Sequence, residues 1–166
     1  MIILGLDPGT ATTGYGLVYI KDKSFSVISY GLIETDKNQN SGKRLVDIYK
    51  KLSFIIKNHK PDAIAIEKIF FATNAKTAIA VGQAIGVMMY CAEKNRSNIF
   101  EYAPGTIKKQ ISGNGRSDKK MMQKAVRKIL GPKIKSKKGG KTHFDNSADA
   151  LAIALCHAVI IGQIKI

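Results

Sequence analysis

Ile2-Ile3-Leu4-Gly5-Leu6-Asp7 is a short apolar run that ends in a carboxylate and is closed by Pro8-Gly9. A run too short for a helix and stopped by a turn dipeptide has the form of a buried central strand. Two strand-like segments follow, Gly14 to Ile20 and Phe25 to Glu34, rich in Tyr, Val, Ile and Phe and separated by Lys21-Asp22-Lys23. Short polar links of this kind join antiparallel neighbours, so the opening predicts three successive antiparallel strands.

The period then changes. Leu45, Ile48, Leu52 and Ile55 recur at steps of three and four between Gly42 and Lys57, which marks an amphipathic helix with Ser41 as its cap and Pro61 past its stop. Ala63 to Glu67 is again a short apolar strand ending in a carboxylate. Asn74 to Glu93 reads as a second, mostly apolar helix and Ile99 to Tyr102 as a fifth strand. Two short helices, Thr106 to Ile111 and Ser117 to Leu130, flank Gly113-Asn114-Gly115-Arg116, and a last helix runs from about Asp145 to Ile160. Because helices lie between the third, fourth and fifth strands, those crossovers add parallel strands to the antiparallel opening. The expected fold is α/β, a mixed five-stranded sheet flanked by helices, in one domain over residues 1–166.

Lys and Arg number 27 against 12 Asp and Glu, a formal charge of +15, which is more than solubility requires and points to a polyanionic partner. The charge is concentrated. Lys108, Lys109, Arg116, Lys119, Lys120, Lys124, Arg127, Lys128, Lys133, Lys135, Lys137, Lys138 and Lys141 stand in one stretch with Asp118 as its acid, the pattern of a phosphate-binding surface. Cys91 and Cys156 sit singly in apolar stretches, which argues against disulfides or a zinc site and for two small buried hydrophobes. The start has no basic segment before a long apolar run, and the apolar stretch Ala148 to Ile161 is too short for a bilayer and carries Asp149 and His157. The expected location is the cytoplasm, with no membrane partner.

Asp7, Glu67 and Asp149 each stand among residues that favour burial. If the first and fourth strands are neighbours, Asp7 and Glu67 emerge side by side. Two carboxylates about 4 Å apart repel by roughly 4 kcal/mol at an effective dielectric near 20, so such a cluster needs a cation. Oxygen ligands select hard ions such as Mg²⁺, with Mn²⁺ as a substitute. Two ions roughly 3.5 to 4 Å apart activate a water and stabilise the leaving oxygen of a phosphodiester. Acids in this setting beside a basic surface point to a nuclease. Taken singly, each acid also has a structural use, as a turn cap, a lysine partner or a buried pair.

Gly5-Leu6-Asp7-Pro8-Gly9-Thr10 with Gly14-Tyr15-Gly16, Ala65-Ile66-Glu67-Lys68-Ile69-Phe70-Phe71, Gly113-Asn114-Gly115-Arg116-Ser117-Asp118-Lys119 and Ala148-Asp149-Ala150-Leu151-Ala152-Ile153-Ala154 occur in this order. Together they resemble the motifs of the bacterial RuvC-type Holliday-junction resolvases, from Ile2 to about Val159. The resemblance implies a ribonuclease H-like fold and a homodimer that holds a four-way DNA junction and nicks two strands symmetrically with Mg²⁺. It implies that Asp7, Glu67 and Asp149 are catalytic acids, that Phe70 contacts bases near the crossover, and that Lys108 and Lys119 lie close to the scissile strand. Arg116 and Lys120, beside them in the basic block, are further candidate DNA contacts. Phe70 has core packing as its alternative reading, and the lysines a solvated helix face.

The fourth group of the acid site stays open. The family usually has Asp or His three residues before the last acid, where this chain has Asn146, with Asp145 and His143 upstream. An ionised carboxylate holds a divalent cation better than an amide, which favours Asp145, one helical turn before Asp149, although capping the helix would serve Asp145 equally well. Ala78, Gly82 and Gly86 form a small-residue stripe that suits either packing on the chain's own sheet or a dimer contact. His59 reads as surface and His157 as core. The sequence leaves open whether a branch-migration motor is a further partner. Competing functions are an actin-like kinase or chaperone, a non-catalytic DNA-binding protein, and a nuclease of the same fold acting on other branched DNA or on RNA–DNA hybrid.

Overall fold

A computed structural model describes residues 1–69, 75–131 and 141–166, the last range without the side chains of 141–145. The strands are β1 (Ile2–Asp7), β2 (Thr12–Lys21), β3 (Ser24–Glu34), β4 (Ala63–Glu67) and β5 (Asn98–Tyr102). The helices are α1 (Ser41–His59), α2 (Ala75–Lys94), α3 (Pro104–Ser112), α4 (Lys119–Leu130) and α5 (Lys141–Ile160). The sheet order is β3-β2-β1-β4-β5. β1 pairs antiparallel with β2 and parallel with β4, so the first strand is central, as its unbroken apolar run requires.

Strand alternation divides the core into two layers. Leu4, Leu6, Leu17, Ile64 and Ile66 pack with Ile48, Leu52 and Ile56 of α1 and Ala84, Met88 and Cys91 of α2. On the other face Ile3, Val18 and Ala65 pack with α3, α4 and the wholly buried Leu151, Ala154 and Cys156 of α5. Both cysteines are buried and free, as the sequence predicts. His157 is also core, its Nδ1 2.6 Å from the Tyr102 hydroxyl and its ring 4.4 Å from that of Phe100.

Several element ends differ from expectation. The cap of α1 is Asn40, whose side-chain oxygen accepts from the Lys43 N–H, and Ser41 is already helical. Asp118 caps α4 in the same way, 2.8 Å from the Met121 N–H. Helix α5 starts at Lys141, one turn before the expected Asp145, so Asp145 lies inside the helix and does not cap it. Residues 141–145 carry little apolar periodicity, and the helix gains that turn without a sequence signal. α2 has the length and hydropathy of a membrane span, yet Ala84, Ile85, Met88, Cys91 and Ala92 bury one side of it against the sheet and α1.

Candidate active site

β1 and β4 run in register, with Leu6 beside Ile66, and the next residue of each is an acid, Asp7 and Glu67. Leu6 and Ile66 point toward α1 and α2. Alternation therefore turns Asp7 and Glu67 to the opposite face, toward α5, which supplies Asp149.

Glycines let α5 lie close enough to do this. A Cβ at Gly5 would collide with the Ala150 carbonyl oxygen, and one at Gly14 with the carbonyl of Asn146. Gly14 is the cross-strand partner of Asp7, and that added Cβ would stand 3.3 Å from Asp7 Cβ. The turn of α5 holding Asn146 and Asp149 thus sits directly over the end of β1. Behind Asp7, the Thr13 hydroxyl donates to Gly9 O at 2.7 Å and that of Thr35 to Thr10 O at 2.7 Å, which braces the turn the acid stands on.

The acids feel one another. Burial pushes the Asp7 carboxyl from 3.8 to about 7, with Asp149 and then Glu67 adding repulsion and Lys119 opposing them. Glu67 is also raised, by burial first and Asp149 second, against the pull of Lys108. Glu67 and Asp149 line a cavity of about 190 Å³ together with Lys108 and Lys119, walled by Pro104, Ile107, Met122, Ala152 and Ile153. For Glu67, which lines the cavity, the apolar wall contributes to the burial effect by removing water from the carboxylate.

A chain of hydroxyls links the two lysines. Ser112 Oγ lies 2.7 Å from the Lys108 carbonyl, to which it donates, and 2.6 Å from Ser117 Oγ, two residues before Lys119.

A divalent cation fits this donor set, because carboxylates that repel one another in a low-dielectric site gain most from a hard ion. Among the described residues no three His, Cys, Asp or Glu side chains already converge as a metal cage.

Of the other predicted residues, Asn146 is half-buried on Gly14, while Arg116 and Lys120 are exposed outside the cavity. Phe70, the side chains of His143, Asp145 and Lys141, and Lys133, Lys135, Lys137 and Lys138 lie outside the described residues. Sequence reasoning missed Pro104, Ile107 and Met122 as cavity wall, because apolar helix positions look alike whether they face a core or a site. It also passed over the seat of α5, although a glycine inside a strand is the usual mark of close backbone approach.

In the small-residue stripe of α2 Ala78 is half-buried, while the two glycines face away from the core. Gly82 and Gly86 are exposed, a Cβ at Gly86 would meet nothing within 4 Å, and Ile79 and Tyr90 beside them are 65% and 57% exposed.

Comparison with known proteins gives a consistent result. The family model described as crossover junction endodeoxyribonuclease RuvC matches residues 3–157. A crossover junction endodeoxyribonuclease RuvC of Caldicellulosiruptor saccharolyticus is 44% identical over 95% of this chain and 92% of its own length. That of Pseudothermotoga lettingae is 42% identical over 96% and 95%. Among solved structures, Thermus thermophilus RuvC superposes with a TM-score of 0.82 at 27% identity, covering 99% of both chains. The same protein in complex with a Holliday junction substrate matches with a TM-score of 0.82 at 26% identity and the same coverage.

Proposed function

The chain belongs to the RuvC family of crossover junction endodeoxyribonucleases, a family of metal-dependent nucleases with the ribonuclease H-like fold, and on that premise we propose how its own residues resolve a four-way junction. The protein is an endonuclease that hydrolyses phosphodiester bonds of Holliday junctions. The observation that carries the assignment of residues is the meeting of Asp7, Glu67 and Asp149 on one face, beside a cavity that also holds Lys108 and Lys119.

In this reading Asp7, Glu67 and Asp149 hold Mg²⁺, or Mn²⁺ in its place, with two ions at each centre and Asn146 or Asp145 as the fourth group. Held there, the metal would supply a water activated for attack at neutral pH and positive charge against that developing on the phosphate. The mutual repulsion of the acids is what a bound cation would relieve. Lys108 and Lys119 draw the phosphate in, and the apolar wall limits water around it. Arg116 and Lys120, exposed outside the cavity, are proposed DNA contacts, and Phe70 is proposed as another.

Two symmetric nicks need two such centres, and the exposed Ile79, Gly82, Gly86 and Tyr90 of α2, with the half-buried Ala78, offer the surface for a second copy. Residues 1–166 act in this reading as one nuclease domain, working in the cytoplasm. The test is incubation of the protein with synthetic four-way junctions, linear duplexes and RNA–DNA hybrids, with and without Mg²⁺. Paired nicks confined to junctions in Mg²⁺ are expected. Equal cutting of hybrids, or nicking that survives a chelator, overturns the reading.

A further inference from the structure

A second hollow adjoins the acid cavity across the first turn of α3. Ala103, Pro104, Gly105, Thr106, Lys109 and Gln110 line a shallow depression of about 530 Å³. Pro104 is a wall of both concavities. Helical rotation separates the rest: Ile107 and Lys108 face the acids, while Thr106, Lys109 and Gln110 face the hollow.

The turn after α3 folds back along this side. A Cβ at Gly115 would stand 3.1 Å from the Gly105 carbonyl and 3.9 Å from Lys109 Cβ. Arg116 follows directly, its N–H donated to Asn114 Oδ1 at 3.0 Å. Between Glu101 and Asp118 the sequence holds no acid. Both of those flanking acids are engaged, Glu101 with Lys68 at 3.8 Å and Asp118 in capping α4. Lys109, which is exposed, thus borders the hollow in a segment without opposite charge.

We propose that this hollow is a backbone subsite for the nucleotide next to the scissile phosphate on the strand being cut. Lys109 neutralises that nucleotide's phosphate, and Thr106 and Gln110 hydrogen-bond its phosphate or sugar. The hollow is shallow and open, which suits a backbone lying along it more than a ligand enclosed within it. The shared Pro104 wall gives a continuous strand a path from one concavity into the next. Contacts of this kind set register without reading bases, so the subsite orients the strand and does not choose its sequence. The inference rests on the proposed active centre, because the strand must enter from it.

The experiment measures junction binding by the whole chain across a salt series in chelator, for the wild type, Lys109→Ala, Gln110→Ala and Lys21→Ala. Lys21 is exposed at the end of β2, far along the chain from the hollow, and serves as the control. Loss of one phosphate contact should flatten the slope of log K against log salt by about 0.7 to 0.9 in Lys109→Ala and leave Lys21→Ala at the wild-type slope. Ethylating the phosphate adjacent to the cut should weaken the wild type several-fold and Lys109→Ala markedly less, a coupling that a merely structural lysine would not show. An unchanged slope in Lys109→Ala, or equal weakening of both proteins by ethylation, overturns the subsite. So does a Gln110→Ala variant that binds normally but cuts at a different sequence, which would make Gln110 a base reader. Failure of the nuclease reading itself shows separately, as a wild type that leaves junctions uncut in Mg²⁺.

Discussion

Replacing Asp7 by Asn should make the metal-free protein more stable at pH 8 while stopping cleavage. The native carboxyl titrates near 7 against an ordinary 3.8, because burial, Asp149 and Glu67 all disfavour its charge. That gap of about three pH units corresponds, at about 1.4 kcal/mol per unit, to roughly 4 kcal/mol of destabilisation once the carboxyl is ionised. A group whose folded pKa is raised holds its proton longer in the native state than in the unfolded one. Stability is therefore undiminished below about pH 4, falls as the pH rises, and has lost the whole contribution above about pH 7. Asparagine is nearly isosteric and never ionises, so it escapes the loss. At pH 4 the two proteins should melt together. At pH 8 in chelator the variant should lead by up to about 4 kcal/mol, or roughly 8 to 16 °C for a chain of this size. Adding Mg²⁺ should narrow or reverse the order, since the wild-type carboxylate binds the ion far better than the amide. Melts followed by circular dichroism at both pH values, with nicking assays alongside, provide the check. A gain at pH 4 equal to that at pH 8, or no gain at pH 8 in chelator, would refute the reasoning.

Glu67→Gln should abolish Mg²⁺-dependent nicking and leave junction binding equal or tighter, because it removes negative charge near phosphate and no basic contact; near-normal nicking would remove Glu67 from the centre. Lys108→Ala and Lys119→Ala should each flatten the salt dependence of junction binding by about one unit, and slopes equal to wild type would return both to ordinary surface. For the fourth group, the seat of Asn146 on Gly14 beside Asp7 now favours Asn146→Ala as the variant with the greater metal requirement. A metal titration in which Asp145→Asn is the more impaired restores the carboxylate argument. Gly5→Ala should cost about 3 kcal/mol or more, because its methyl meets the Ala150 carbonyl oxygen and not a side chain that can turn aside; a normal melting temperature would show that α5 moves freely.

The sheet was legible because β1 and β4 announce themselves as apolar runs that end in acids, and the crossover helices then force them together. α1 was legible from its period, apart from a cap one residue earlier than expected. The first turn of α5 was not, since Lys141 to Asp145 holds a single apolar residue, Phe144, and so shows no helical period of its own. The acids could be picked out singly from burial and charge, but their meeting depends on strand alternation and on the glycines under α5. Lys108 and Lys119 could not be told from the other lysines of the basic block by composition. Their special position comes from the way α3 and α4 fold over the sheet, which the sequence carried only as a motif. The outward face of α2 was undecidable from spacing alone, because a small-residue stripe serves an internal and an external contact equally well.

The acids come from opposite ends of the chain: Asp7 lies in its first strand and Asp149 in its last helix. Because α5 also closes one face of the sheet, with Leu151, Ala154 and Cys156 wholly buried against it, the third acid arrives in the same packing step that completes that layer of the core. A molecule that lost α5 would bare the apolar underside of β1, β2 and β4 and lose its fold along with the acid, so assembling the acid cluster and completing the core are one event.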